Sequence, residues 1–174
     1  MTTTDSVRAG TRRALLRRTA LLLSGTTLAG CGFRLRGAQP LAFRTLWTGF
    51  PSTSPVGAEL RRQLRAIGGT ELVDRPENAD ARLEVLQDLR EREVLAFSST
   101  GRPRQYQLRL RLRYRLHDGK GRDFISSDEI VLRREISTDD LQVATRTEEE
   151  ALLYRDMQND MVQQLLRRLA AAGR

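Results

Sequence analysis

Three kinds of side chain in this sequence offer chemistry: one cysteine, one histidine and a large set of arginines. Cys31 is the sole thiol and follows Leu28-Ala29-Gly30 directly, so it has no partner for a disulfide within the chain. His117, the sole histidine, stands beside Asp118 in the turn-forming run Asp118-Gly119-Lys120-Gly121, where a solvated loop residue is expected in place of a general base. The carboxylates of Asp139-Asp140 and Glu148-Glu149-Glu150 are explained by a turn and a helix start. The sequence holds no Gly-x-Ser-x-Gly, no phosphate loop and no metal-ligand spacing. Without titratable groups to converge in a pocket, neither catalysis nor a metal or cofactor is expected. Binding is left, and for binding the arginines matter: Lys120 is the only lysine among 30 basic residues, and the planar guanidinium fork suits phosphate and carboxylate. An arginine-rich codon usage gives the same composition.

The surroundings of Cys31 explain its position. Arg12, Arg13, Arg17 and Arg18 precede an apolar run centred on Ala20 to Leu23, and Ser24, Gly25, Thr26 and Thr27 follow. Basic, apolar, then small is the order of a secretory signal. The apolar run is shorter than the about 20 residues a membrane span needs. Leu28-Ala29-Gly30-Cys31 resembles the bacterial lipobox, which implies that residues 1–30 are cleaved and that Cys31 carries an S-diacylglycerol and an N-acyl group such as palmitate. Two or three acyl chains, at about 0.8 kcal/mol per buried methylene, hold firmly where one does not. Thr11-Arg12-Arg13-Ala14-Leu15-Leu16-Arg17 looks like a twin-arginine export signal, although Sec signals also carry paired arginines.

Half of the apparent basicity belongs to this address. The chain is +8, and residues 1–30, with five Arg and one Asp, hold +4 of it. Aromatic residues make up only 5% and are not interleaved with basic ones in the manner of a single-strand nucleic-acid platform, so a nucleic-acid partner is not expected. The remaining 144 residues suffice for one domain with one core. The organisation expected is a signal over 1–30, a lipidated tether over 31–40 and an α/β domain over 41–174.

Within that domain, Leu41 to Phe50 reads as a first strand. Ser54-Pro55 then opens a helix, with serine as N-cap and proline at N1. Val56, Leu60, Leu64 and Ile67 make its apolar stripe, and Gly68-Gly69 ends it. Glu71 to Asp80 is expected to be a connection. Ala81, Leu83 and Val85 alternate in a second strand, whose pattern slips around Asp88 to Glu93, as at a bulge, and resumes at Val94, Leu95 and Phe97. Ser98 to Pro103 is a loop tip. Tyr106, Leu108, Leu110, Leu112, Tyr114 and Leu116 alternate with Gln107, Arg109, Arg111, Arg113 and Arg115, a strand with one buried face. Asp118-Gly119 turns the chain into a return strand through Phe124, Ile130, Leu132 and Ile136. Thr147 with Glu150, or Thr145 with Glu148, is expected to cap a last helix with the stripe Tyr154, Met157, Met161, Leu165 and Leu169. The economical arrangement is α+β: a two-layer sandwich of a four-stranded, mostly antiparallel sheet with two helices packed on one face.

Cys31-Gly32-Phe33-Arg34-Leu35-Arg36-Gly37 resembles the mature start of the LPS-assembly lipoproteins of the LptE family. The resemblance implies the same two-layer fold over nearly all of the mature chain. It also implies a cell outer-membrane lipoprotein, with its domain in the periplasm or within a barrel lumen, and Gly32 after the cysteine agrees with transfer to that membrane. Its partner would be the LptD β-barrel, as plug and assembly partner, and it would bind lipopolysaccharide during transport. By loop placement, Arg102, Arg104 and Arg146 are the candidate lipopolysaccharide contacts, with bidentate bonds to lipid A phosphates. A competing reading is a generic periplasm-facing lipoprotein scaffold that binds only protein, its arginine face docking an acidic surface.

Overall fold

The computed structural model describes residues 41–137 and 143–173, the side chains of 143–146 excepted. The signal, Cys31 and the tether lie outside the described residues. β1 (Thr45–Thr48) leads into α1 (Pro55–Ile67), then β2 (Glu71–Val73) and a short 3-10 turn (Pro76–Asn78). Three long strands follow, β3 (Ala81–Phe97), β4 (Pro103–His117) and β5 (Asp123–Ser137), and α2 (Val143–Ala172) closes the chain. The Ser54 hydroxyl accepts from the Gly57 N–H at 3.0 Å, the cap expected of a serine before proline.

The sheet has five strands, not four, in the order β2-β1-β3-β4-β5. It is also mixed, because β1 runs parallel to both β2 and β3, while β3-β4 and β4-β5 are antiparallel. The extra strand falls where a plain connection is expected. β2 has only three residues, too few for a visible alternation, and its backbone pairing with β1 makes it a strand. Asp80 fixes β1 beside β3 by a reciprocal clasp: the Thr45 N–H donates to its carboxylate at 3.1 Å, and the Asp80 N–H donates to the Thr45 hydroxyl at 2.8 Å.

One core lies between the sheet and the helices. Leu46, Leu83 and the even-numbered residues Leu108 to Leu116 meet Val56, Leu60 and Leu64 of α1 and Tyr154, Met157, Met161, Leu165 and Leu169 of α2. The helices touch each other where the Gln163 amide donates to Gln63 at 2.7 Å. α2 begins at Val143, ahead of Thr145 and Thr147, so both expected cap positions lie within the helix and not at its start. No helix among the described residues is long and apolar enough to cross a membrane.

The slip in β3 is a bulge, and it sits earlier than the charged run. The register shifts between Val85 and Gln87, leaving Leu86 unpaired, and shifts again around Leu95. Val85 still faces the core, opposite Tyr114. Past the bulge the even residues face it, with Asp88 opposite Leu112, Arg90 opposite Leu110 and Arg92 opposite Leu108. One inserted residue thus turns Leu89 outward and three polar side chains inward.

Candidate functional site

The distal end of the β3-β4 hairpin gathers what the inward arginines and outward apolar residues leave exposed. Its loop is clamped: the Ser98 N–H donates to the Arg102 carbonyl at 2.7 Å and the Gly101 N–H to the Ser98 carbonyl at 3.0 Å. The Arg102 N–H adds a bond to the Ser98 hydroxyl at 3.1 Å. Gly101 takes φ +77°, a left-handed conformation glycine adopts at little cost. The clamp holds the Arg102 backbone and leaves its side chain in solvent, and Arg104, just inside β4, is exposed as well.

Arg102 and Arg104 therefore share one end of the hairpin. Arg146 joins them only at the level of elements. Its backbone lies at the start of α2, one turn before Glu150, which pairs with Arg92 of β3 at 2.9 Å, while its side chain lies outside the described residues.

Two features of this end are not expected from the sequence. Val94, Leu95 and Phe97 are exposed, Phe97 by 63%, and the second register shift falls between Val94 and Phe97 and breaks the alternation of the run. Behind them, Arg92 and Arg90 are held between β3 and α2: Arg92 lies 4.6 Å from the Tyr106 ring centroid and Arg90 3.6 Å from that of Tyr154. The Tyr154 hydroxyl donates to the Glu91 carbonyl at 2.8 Å. The apolar run Val94-Leu95-Ala96-Phe97 directly before a basic loop was the signal available in the sequence. The result is an end that is apolar and cationic together. Such a surface can meet acyl chains with Phe97 and Leu95 and an anionic headgroup with guanidinium.

The arginine row of β4 lies on the other face of the sheet, and most of it is already engaged. Arg115 reaches Glu84 at 2.7 Å, Arg109 reaches Glu93 at 3.4 Å and Glu91 at 3.6 Å, and Arg111 reaches Glu129 at 3.8 Å. His117 sits 3.5 Å from the same Glu84, and its Nδ1 accepts from the Gly119 N–H at 3.0 Å, which is turn architecture. No group of acidic, histidine or cysteine side chains able to hold a metal occurs among the described residues. A cavity of about 630 Å³ beside β2, lined by Trp47, Phe50, Arg61, Arg65, Glu71 and Asp74 among others, contains no nucleophile paired with a base.

Comparison with known proteins finds relatives of this fold. A family model described as LptE, lipopolysaccharide-assembly, matches residues 43–169. Among solved structures, an uncharacterized lipoprotein B from Nitrosomonas europaea is similar at 33% identity and a TM-score of 0.67, over 80% of this chain and 91% of that one. The rare lipoprotein B from Shewanella oneidensis, at 20% identity, has a TM-score of 0.61 over 73% of this chain and 94% of its own. A minor lipoprotein from Acinetobacter baumannii, at 24% identity, has a TM-score of 0.61 over 76% and 94%. These last two share the fold. No curated protein matches the sequence.

Proposed function

Because this chain belongs to the LptE family of lipopolysaccharide-assembly proteins, which neither catalyse a reaction nor bind a cofactor, we propose that it is an outer-membrane lipoprotein that partners the LptD β-barrel. In this reading Cys31 carries the acyl anchor, and the distal end of the β3-β4 hairpin binds lipopolysaccharide on its way to the outer surface. The observation that carries the reading is that exposed Phe97, at the end of β3, and exposed Arg102, on the clamped loop that follows, stand at the same end of the hairpin. Lipid A offers phosphates and acyl chains side by side, usually bridged to their neighbours by divalent cations. A rigid end that supplies guanidinium and aromatic surface together competes with those cations and separates one molecule from its aggregate.

Replacing Arg102, Arg104 and Arg146 by Glu tests the binding role. Lipopolysaccharide affinity should fall at least tenfold, and unchanged affinity would remove the assignment. Co-purification from solubilised outer membrane tests the partnership, since the proposal demands a large β-barrel and bound lipopolysaccharide, and the scaffold reading demands neither.

A further inference from the structure

Among the described residues, helices cover only one face of the sheet. On the other, the register arranges side chains of β3, β4 and β5 in levels about 7 Å apart. Gln87, Arg113 and Glu129 form one level, Leu89, Arg111 and Val131 the next, and Glu91, Arg109 and Arg133 the third. Arg109, Arg111 and Arg115 are committed to glutamates of this same chain, and the Nε atoms of Arg109 and Arg111 are out of solvent, so these side chains lie along the sheet. Arg113 and Arg133 are exposed, and among the described residues neither has an ionic partner. Between their two levels lie Leu89, 38% exposed, and half-buried Val131.

We infer that this patch, Leu89 and Val131 flanked by the spare guanidinium groups of Arg113 and Arg133, is the surface that lies against the protein partner, meeting carboxylates on the barrel's inner wall. The inference rests on the proposed partnership and adds the face that makes it. A barrel lumen is polar, and arginine beside apolar contact is a common anchor of protein interfaces. Charges already paired within the chain can be covered without leaving an uncompensated ion, the costly case. The same pairing argues against lipid on this face. The guanidinium groups held by Glu84, Glu91, Glu93 and Glu129 are not available to a polyphosphorylated headgroup, which leaves lipopolysaccharide to the hairpin end.

The test uses the full lipid-anchored chain co-expressed with a tagged barrel and solubilised in detergent. The double variant Arg113→Gln with Arg133→Gln removes both charges without setting like charges beside Glu129. Its recovery with the barrel should fall at least tenfold, while its melting temperature and its lipopolysaccharide binding stay those of the wild type. Arg113→Lys with Arg133→Lys should recover part of the loss. Arg155→Gln, on the exposed side of α2, should change nothing. Full capture of the double variant overturns the inference, as does an equal loss with Arg155→Gln. Loss of lipopolysaccharide binding with capture intact assigns the face to lipid and overturns it too, and so does a wild-type chain that self-associates through these residues. A wild-type chain that captures no barrel overturns the proposed function itself, an outcome distinct from the others.

Discussion

The Arg168 guanidinium, near the end of α2, donates to the Asp128 carboxylate of β5 at 2.6 Å, and the buried Tyr114 hydroxyl of β4 donates to the same oxygen at 3.0 Å. Arg168 also donates to the Glu129 carbonyl at 3.0 Å. One carboxylate thus fastens the last helix to two strands, at the end of the sheet opposite the Ser98–Arg102 loop. Burial first, and then the bond to Asp128, push the Tyr114 phenol above its ordinary range, so it remains a donor throughout the physiological range.

Asp128→Ala removes that fastening and strands the Tyr114 hydroxyl inside. The ion pair is about one-third exposed, which limits its own contribution to about 1 kcal/mol, and the unpaired buried hydroxyl adds about 1 kcal/mol more. We expect a melting temperature roughly 5–8 °C lower, measured by calorimetry. A variant that melts with the wild type would show that the pair contributes nothing.

Acid should loosen the same contact. Burial raises the Asp128 pKa, but the bonds from Arg168, the Glu129 N–H and Tyr114 outweigh it and leave the carboxyl below its ordinary 3.8. A folded-state value below the unfolded one gives stability that is present above about pH 4 and lost as pH falls through the folded value. Asp118, bonded by the Lys120 and Arg122 N–H groups, and Asp80, bonded by the Thr45 N–H, shift in the same direction. Denaturant midpoints should therefore decline below about pH 4, and less steeply for Asp128→Asn. Equal slopes would place the acid sensitivity elsewhere.

Ser54 joins the bulge to the first helix. Its hydroxyl accepts from the Gly57 N–H and donates to Asp88 at 2.5 Å, and Asp88 faces the helix layer only because β3 is bulged at Leu86. Ser54→Ala should cost about 1–2 kcal/mol, read from the denaturant midpoint at unchanged slope.

Gly57→Ala should also destabilise, although alanine is the better helix former by about 1 kcal/mol. Its Cβ would stand 2.5 Å from the Phe50 Cβ and 2.8 Å from its Cγ, and Phe50 belongs to the core. Overpacking of this kind costs about 1–3 kcal/mol, so a small net loss is the expected sign, and a gain in melting temperature would contradict it.

Cys31→Ser bears on the proposed acyl anchor. In the absence of the barrel, the variant should move from the membrane fraction to the soluble one while melting as the wild type does. Retention in the membrane without the barrel would contradict an acyl anchor.

Much of the fold was legible because its signals are local. The β4 alternation from Tyr106 to Leu116 and the α2 stripe from Tyr154 to Leu169 each need only one segment to be read, and the core contains both, with Tyr106 partly buried against it. β2 was not legible, since three residues carry no period and its parallel partner is far along the chain. The candidate site was half legible. Arg102 and Arg104 follow from a turn composition, whereas the exposure of Phe97 depends on a register shift, and the side chain of Arg146 lies outside the described residues.

By itself, the sequence determined the order of strands and helices, the apolar face of each long element and, through Cys31 and the residues around it, the expectation of an anchored, exported domain. It could not determine which arginines remain available. That was decided in three dimensions, where the Leu86 bulge reverses the two faces of β3 and brings Glu91 and Glu93 beside Arg109 while leaving Arg113 and Arg133 without ionic partners among the described residues. Periodicity is a property of one strand, but charge pairing depends on the register between strands, and a single inserted residue resets it.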